Sequence, residues 1–126
     1  MPIENVINDK EKIVYTICRG VMTLEDFTEH MKRIWSDTKY YGYHELLDTT
    51  LGDWTDFDFG FLFTIAEKAS RLTSFDPNTK VAYVVQEGKQ KALTDFYKNI
   101  KAMLPVNSRK LETFYSKEEA IAWLKS

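Results

Sequence analysis

The sequence predicts an α/β fold: a mixed five-stranded sheet, opened by an antiparallel N-terminal hairpin, continued by β-α units and packed with four helices. Three observations lead there. Strand-like and helix-like segments follow one another in the order β-β-α-β-α-β-α-β-α, and a strand that follows a crossover helix is expected to run parallel. Val81-Ala82-Tyr83-Val84-Val85 is apolar on both faces, as a central parallel strand should be. The 126 residues carry no repeat, linker or composition shift, so a single domain over residues 1–126 is expected.

Each element has its own signal. Ile3 to Ile7 alternates weakly and reads as a first strand; Asn8-Asp9-Lys10-Glu11 is a polar turn; Lys12 to Arg19 is a β-branched run that pairs back as a hairpin. Gly20 ends it. Thr23-Leu24-Glu25-Asp26 resembles a capping box, and Leu24, Phe27, Met31, Ile34 and Trp35 then fall at helical spacing, predicting a helix over 24–36. Asp37 to Tyr43 is a tyrosine-rich loop in which Gly42 is available for a positive φ. His44 to Thr50, with Leu46-Leu47, reads as a short buried strand ending at Asp48. Asp56 to Leu72 is expected to form the second helix, and Phe75-Asp76-Pro77-Asn78 a turn before the Val81–Val85 strand. Leu93, Phe96, Tyr97, Ile100, Met103 and Leu104 give the third helix its stripe, and Pro105 stops it. Leu111 to Tyr115 is the last strand; Ser116-Lys117-Glu118-Glu119 caps a final helix bearing Ala120, Ile121, Trp123 and Leu124.

Composition excludes several classes. The 17 basic and 19 acidic residues leave a net charge of −2, which offers no basic surplus for nucleic acid. Met1-Pro2-Ile3-Glu4-Asn5 lacks the basic start and apolar run of a secretory signal, and no apolar stretch nears the roughly 20 residues that cross a bilayer. A cytoplasmic location is therefore expected. The single cysteine, Cys18, lies in a β-branched run and is expected to be a buried hydrophobe.

The aromatic content, 14%, is concentrated between Trp54 and Phe63. Phe57, Phe59, Phe61 and Phe63 alternate as in a strand, yet Ile65, Ala66, Ala69 and Leu72 continue with helical spacing, which the β-α order favours. On a helix, Phe57, Phe61, Ile65, Ala69 and Leu72 share one face, with Leu62 at its margin. Phe59 and Phe63 fall on the opposite face, with Ala66 and Ser70 beside them. That second stripe has three readings: packing on a neighbouring helix, a homodimer contact, or the wall of a site for an apolar ligand or a membrane surface. Trp54, at the helix entrance, is expected at the rim of such an interface.

The chain resembles the SpoIIAA-like or STAS family (sulfate transporter and anti-sigma-factor antagonist). More closely, it resembles stand-alone bacterial STAS-like proteins that share topology with CRAL-TRIO lipid carriers. The residues that carry the likeness are Gly20-Val21-Met22-Thr23-Leu24-Glu25-Asp26-Phe27, the strand end Leu46-Leu47-Asp48, and Ser116-Lys117-Glu118-Glu119-Ala120-Ile121-Ala122-Trp123-Leu124. The likeness spans essentially the whole chain and is topological rather than catalytic. Regulatory members carry Asp-Ser-Ser/Thr-Gly where helix two begins. Here the comparable stretch is Asp56-Phe57-Asp58-Phe59-Gly60, without the acceptor serine, so a serine switch is not expected. Asp58 suits a helix N-terminus on charge alone, and Thr55 is a plausible N-cap.

No P-loop, Gly-x-Ser-x-Gly or Gly-x-Gly-x-x-Gly occurs, and neither His30 nor His44 has a partner at metal-ligand spacing. No metal or cofactor is expected. Lys89, Lys91, Lys98 and Lys101 fringe the third helix, as a solvated face or, less simply, an anionic headgroup site. The expected role is a small non-enzymatic binding or regulatory module. It would engage a protein partner or an apolar, lipid-like ligand through Trp54, Phe59, Phe63, Asp56 and Asp58. Peripheral membrane contact is one form of this. The alternatives are a small enzyme using the acidic cluster Asp48, Asp53, Asp56 and Asp58 at the C-terminal edge of the sheet, and a purely structural homodimer.

Overall fold

Strand-forming and helix-forming segments alternate as the sequence pattern requires. The computed structural model describes residues 2–72, 76–103 and 109–126. The strands are β1 (Ile3–Asn8), β2 (Ile13–Val21), β3 (His44–Asp53), β4 (Lys80–Val84) and β5 (Lys110–Phe114). The helices are α1 (Leu24–His30), α2 (Phe61–Ser70), α3 (Lys89–Met103) and α4 (Lys117–Leu124). The sheet order is β1-β2-β3-β4-β5, with β1 antiparallel to β2 and every later pair parallel. The mixed five-stranded α/β architecture expected from the sequence is the one observed.

Side-chain alternation along the parallel strands explains the layers. Ile13, Leu46, Ala82 and Val84 point to one face, where Ala120 and Leu124 of α4 cover them. Cys18, Leu47 and Tyr83 point to the other, beneath α1, α2 and α3. Strands added successively in one direction by right-handed crossovers place all three crossover helices on one side. Only α4, after the last strand, is free to cover the reverse face.

Local chemistry sets the boundaries. Thr23 Oγ1 accepts from Asp26 N at 3.2 Å while Thr23 N donates to Asp26 Oδ2 at 3.0 Å, a complete capping box. Ser116 Oγ accepts from Glu119 N at 3.2 Å at the start of α4. Gly42 adopts φ +87°, the left-handed conformation its loop needs.

β2 runs through Gly20, expected to end it, to Val21, and the boundaries differ most from expectation in three other places. The helix expected over 24–36 is α-helical only to His30 and continues as a π-helical turn, Met31–Trp35. Its wider turn keeps His30, Met31, Ile34 and Trp35 all on the buried side. The second helix begins at Phe61 rather than Asp56, because local hydrogen bonds compete for the preceding backbone: Asp53 Oδ1 accepts from Thr55 N, and Asp58 Oδ1 accepts from Gly60 N. The strand expected to end at Asp48 runs on to Asp53 alongside β2. Phe75, Leu104 and Pro105, assigned to a turn, to the stripe of the third helix and to its stop, lie outside the described residues.

Candidate functional site

The buried face of α2 is shifted from the expected stripe. Leu62, Ile65, Ala66 and Ala69 are buried, while Phe61 is half-buried. Ala66, expected beside Phe59 and Phe63, therefore faces the core. Phe57 reaches the core from the turn before the helix, where its ring meets Phe27, Trp54 and Phe61 edge-on, with centroids 5.1–5.7 Å apart. Trp54, expected at a rim, is buried instead, and its Nε1 donates to Thr49 O at 2.9 Å. Gly52 makes this possible, since a Cβ there would stand 2.7 Å from Trp54 Nε1. Thr55 caps no helix; Gly60 holds the N-cap position of α2.

Phe59 and Phe63 do meet a neighbouring helix. Both rings stand edge-on to Phe96 of α3, at 5.4 and 5.6 Å, yet Phe59 remains 37% and Phe63 53% exposed. Asp48 accepts from Thr50 N and Oγ1, and Asp53 from Thr55 N and Oγ1, so each carboxylate is taken up by its own neighbouring residues. Asp56 and Asp58 precede α2, whose first turn carries no acid, in place of the helix N-terminal role read from the sequence.

Between the sheet and the three crossover helices lies a cavity of about 120 Å³. One end is apolar: Phe27, Leu47, Trp54, Phe57, Leu62 and Leu93 line it. Small side chains make the room, since Ala69 and Thr49 stand where larger residues would close it. The other end is polar and is walled by His30, Glu45, Tyr83, Tyr97, Lys101 and Arg109.

Glu45 organises that polar wall. It is 5% exposed on the strand face turned toward α1. Its Oε2 accepts from Thr16 Oγ1 at 2.6 Å and lies 2.9 Å from His30 Nε2, while Oε1 stands 3.9 Å from Arg109 Nη1. Asn5 extends the network: its Oδ1 accepts from Arg33 Nη2 at 2.9 Å, so its Nδ2 faces Thr16 Oγ1 at 3.0 Å and His30 Nδ1 at 3.4 Å. That amide orientation makes His30 Nδ1 an acceptor and Nε2 the donor to Glu45. Both ring nitrogens are thereby engaged within the protein. Burial pushes the Glu45 carboxyl up, but the paired His30 ring, the Arg109 guanidinium and the Thr16 hydrogen bond outweigh it and hold it below the ordinary carboxylate value.

Arg109 is equally committed. Its Nε donates to Thr79 Oγ1 at 2.8 Å, its Nη2 to Tyr43 O at 2.8 Å, and its guanidinium stacks 4.3 Å from the Trp35 ring. The lysines of α3 divide. Lys89 Nζ donates to Thr55 O, Lys91 pairs with Asp95 and Lys98 with Glu112. Lys101, grouped with them as a solvated fringe, is instead 8% exposed and faces the cavity. Cys18 is fully buried as expected, and burial pushes its thiol pKa upward, away from thiolate chemistry.

The sequence reading missed Glu45 and Arg109, and it named Lys101 but placed it on a solvated face or an anionic headgroup site. An acid inside the apolar run His44–Thr50 was the available signal for Glu45, because a carboxylate on an inward strand position needs a partner. Among the described residues no helix is long and apolar enough to cross a membrane.

No family model and no curated protein matches the chain. Among solved structures it is similar to an uncharacterised protein from the DUF3478 family with a SpoIIAA-like fold from Shewanella loihica PV-4. That similarity has a TM-score of 0.58 and 18% identity, and it covers 97% of this chain and 91% of that one. The fold is SpoIIAA-like.

Proposed function

We propose that this domain is a small-molecule binding module that takes a compact, largely apolar ligand into the cavity beneath α1, α2 and α3. The observation that carries the reading is the cavity itself: about 120 Å³ of space lined mostly by aromatic and aliphatic side chains, with a few polar groups among them. Ligand sites have this composition, an apolar wall with a few placed polar groups. An apolar cavity of about 150 Å³ accommodates benzene, so the space suits a molecule of that order. The module works through the buried face of α2, beside Trp54, rather than through its exposed face.

The test is thermal stability in the presence of toluene, with native mass spectrometry of the freshly purified protein. Toluene should raise the melting temperature of the parent protein. It should not affect Ala69→Leu, whose added methyl groups fill the cavity. Equal responses in the two proteins, or none in either, overturn the reading.

The exposed edges of Phe59 and Phe63 favour a second reading, in which Phe59, Phe63 and the nearby Asp56 and Asp58 form a contact surface for another copy of the chain. Mass in solution tests it directly: the parent should be dimeric and Phe59→Ser/Phe63→Ser monomeric.

A further inference from the structure

We infer that the ligand of the cavity is a small carboxylic acid, its carboxylate held by Lys101 Nζ with the hydroxyls of Tyr83 and Tyr97. The inference rests on the cavity being a ligand site and adds the chemical class of what enters it.

Lys101 is 8% exposed, lines the cavity, and has no hydrogen-bond or ion-pair partner among the described residues. A buried ammonium without a partner is costly, and proteins ordinarily pair or neutralise it. No side chain of the polar wall is free to do so. Glu45 is taken up by Thr16, His30 and Arg109, and Arg109 adds a second positive charge to the same wall. Burial and the Arg109 charge together press the Lys101 pKa downward, the signature of a cation lacking its counter-charge. An anionic ligand supplies that counter-charge.

Two further donors line the same cavity. Tyr97 and Lys101 lie four residues apart on α3 and share a helix face. The Tyr83 ring meets the Tyr97 ring at 6.5 Å, and both side chains line the cavity. Neither hydroxyl has a hydrogen-bond partner among the described residues, and burial pushes both pKa values up, so both keep their protons. One amine and two neutral hydroxyls form a donor set for a carboxylate, which accepts at both oxygens. The apolar end then holds the remainder of the molecule. At about 120 Å³ the whole ligand, carboxylate included, is a single ring or a short chain, not a long fatty acyl tail.

Calorimetric titration of benzoate against benzyl alcohol, and of hexanoate against hexanol, tests the inference on the folded full chain. In the parent protein the acids should bind about tenfold more tightly than the alcohols of matched shape, the scale of one charge-assisted hydrogen bond. In Lys101→Met that preference should vanish while alcohol binding stays within about twofold. Lys101→Gln provides a polar control and should lose the preference as well. Equal affinities in the parent, or a preference that survives in both variants, overturn the assignment of the acid. If the alcohols bind and the acids do not, the cavity reading stands and this inference fails. If neither class binds the parent, both fail together.

Discussion

His30 Nε2 lies 2.9 Å from Glu45 Oε2, with both side chains closed off from solvent and both His30 nitrogens engaged. The pair holds the first helix against the third strand and takes up both His30 nitrogens within the protein. It serves as a structural brace at the polar end of the site. Removing one member strands the others in a dry environment. Glu45→Ala, which leaves Arg109 and His30 without their shared acceptor, should cost about 3–5 kcal/mol, measured by urea denaturation at neutral pH.

The same network predicts an acid limb. The Glu45 carboxyl is held below its ordinary value of 4.5 in the folded protein, so the folded state binds fewer protons than the unfolded chain between the two values. Its contribution is complete above about pH 4.5 and is lost as pH falls through the lower folded value. Denaturation midpoints taken from pH 7 to pH 3 should fall less steeply in Glu45→Gln than in the parent. Parallel curves would remove Glu45 from the acid response.

Lys101 predicts the opposite sign in stability. A buried amine with no partner lowers the stability of the ligand-free protein, and a methionine of similar length relieves that cost. Lys101→Met should raise stability by roughly 1 kcal/mol at neutral pH, seen as a higher urea midpoint, while losing the preference for acids. A lowered midpoint would mean that the amine supports the fold.

Gly52 predicts a purely steric effect. A Cβ at this position meets the Trp54 indole nitrogen at 2.7 Å, so Gly52→Ala must displace the ring and break its bond to Thr49 O. The expected loss is about 1–3 kcal/mol, the cost of leaving a buried donor unsatisfied, with a red-shifted tryptophan emission as the ring meets water. Unchanged stability would show that the strand end can shift at little cost.

Phe59→Ser/Phe63→Ser separates the inner and outer faces of α2. Two edge-on contacts with Phe96 are lost, so stability should fall by about 1–3 kcal/mol. Toluene binding should survive, because neither ring lines the cavity. Loss of toluene binding in a folded variant would place the site on the outer face.

The elements read from the sequence follow short-range physics. Thr23 and Asp26 form their capping box from residues three apart, and Val81 to Val85 is apolar enough to require cover on both sides. Alternating strand and helix patterns were sufficient for the mixed five-stranded sheet. The aromatic segment was legible only in part. Phe57 and Trp54 both enter the core, but from turns stabilised by Asp53 and Asp58, where the periodicity of the run suggested a longer helix. The helix starts five residues later than expected, and Ala66 faces inward while Phe63 stays at the surface.

The sequence alone determined the order of elements, the parallel sense of the later strands and the burial of Cys18, because each depends on spacing within one segment or on the connection between neighbours. Tertiary structure decided the site. Thr16, His30, Glu45 and Arg109 come from four separate segments, and their meeting depends on strand register and on the widened turn after α1. Lys101 reads in sequence as one more helix-surface lysine. Only the packing of α3 over the sheet brings it to the cavity, where no side chain among the described residues supplies its counter-charge.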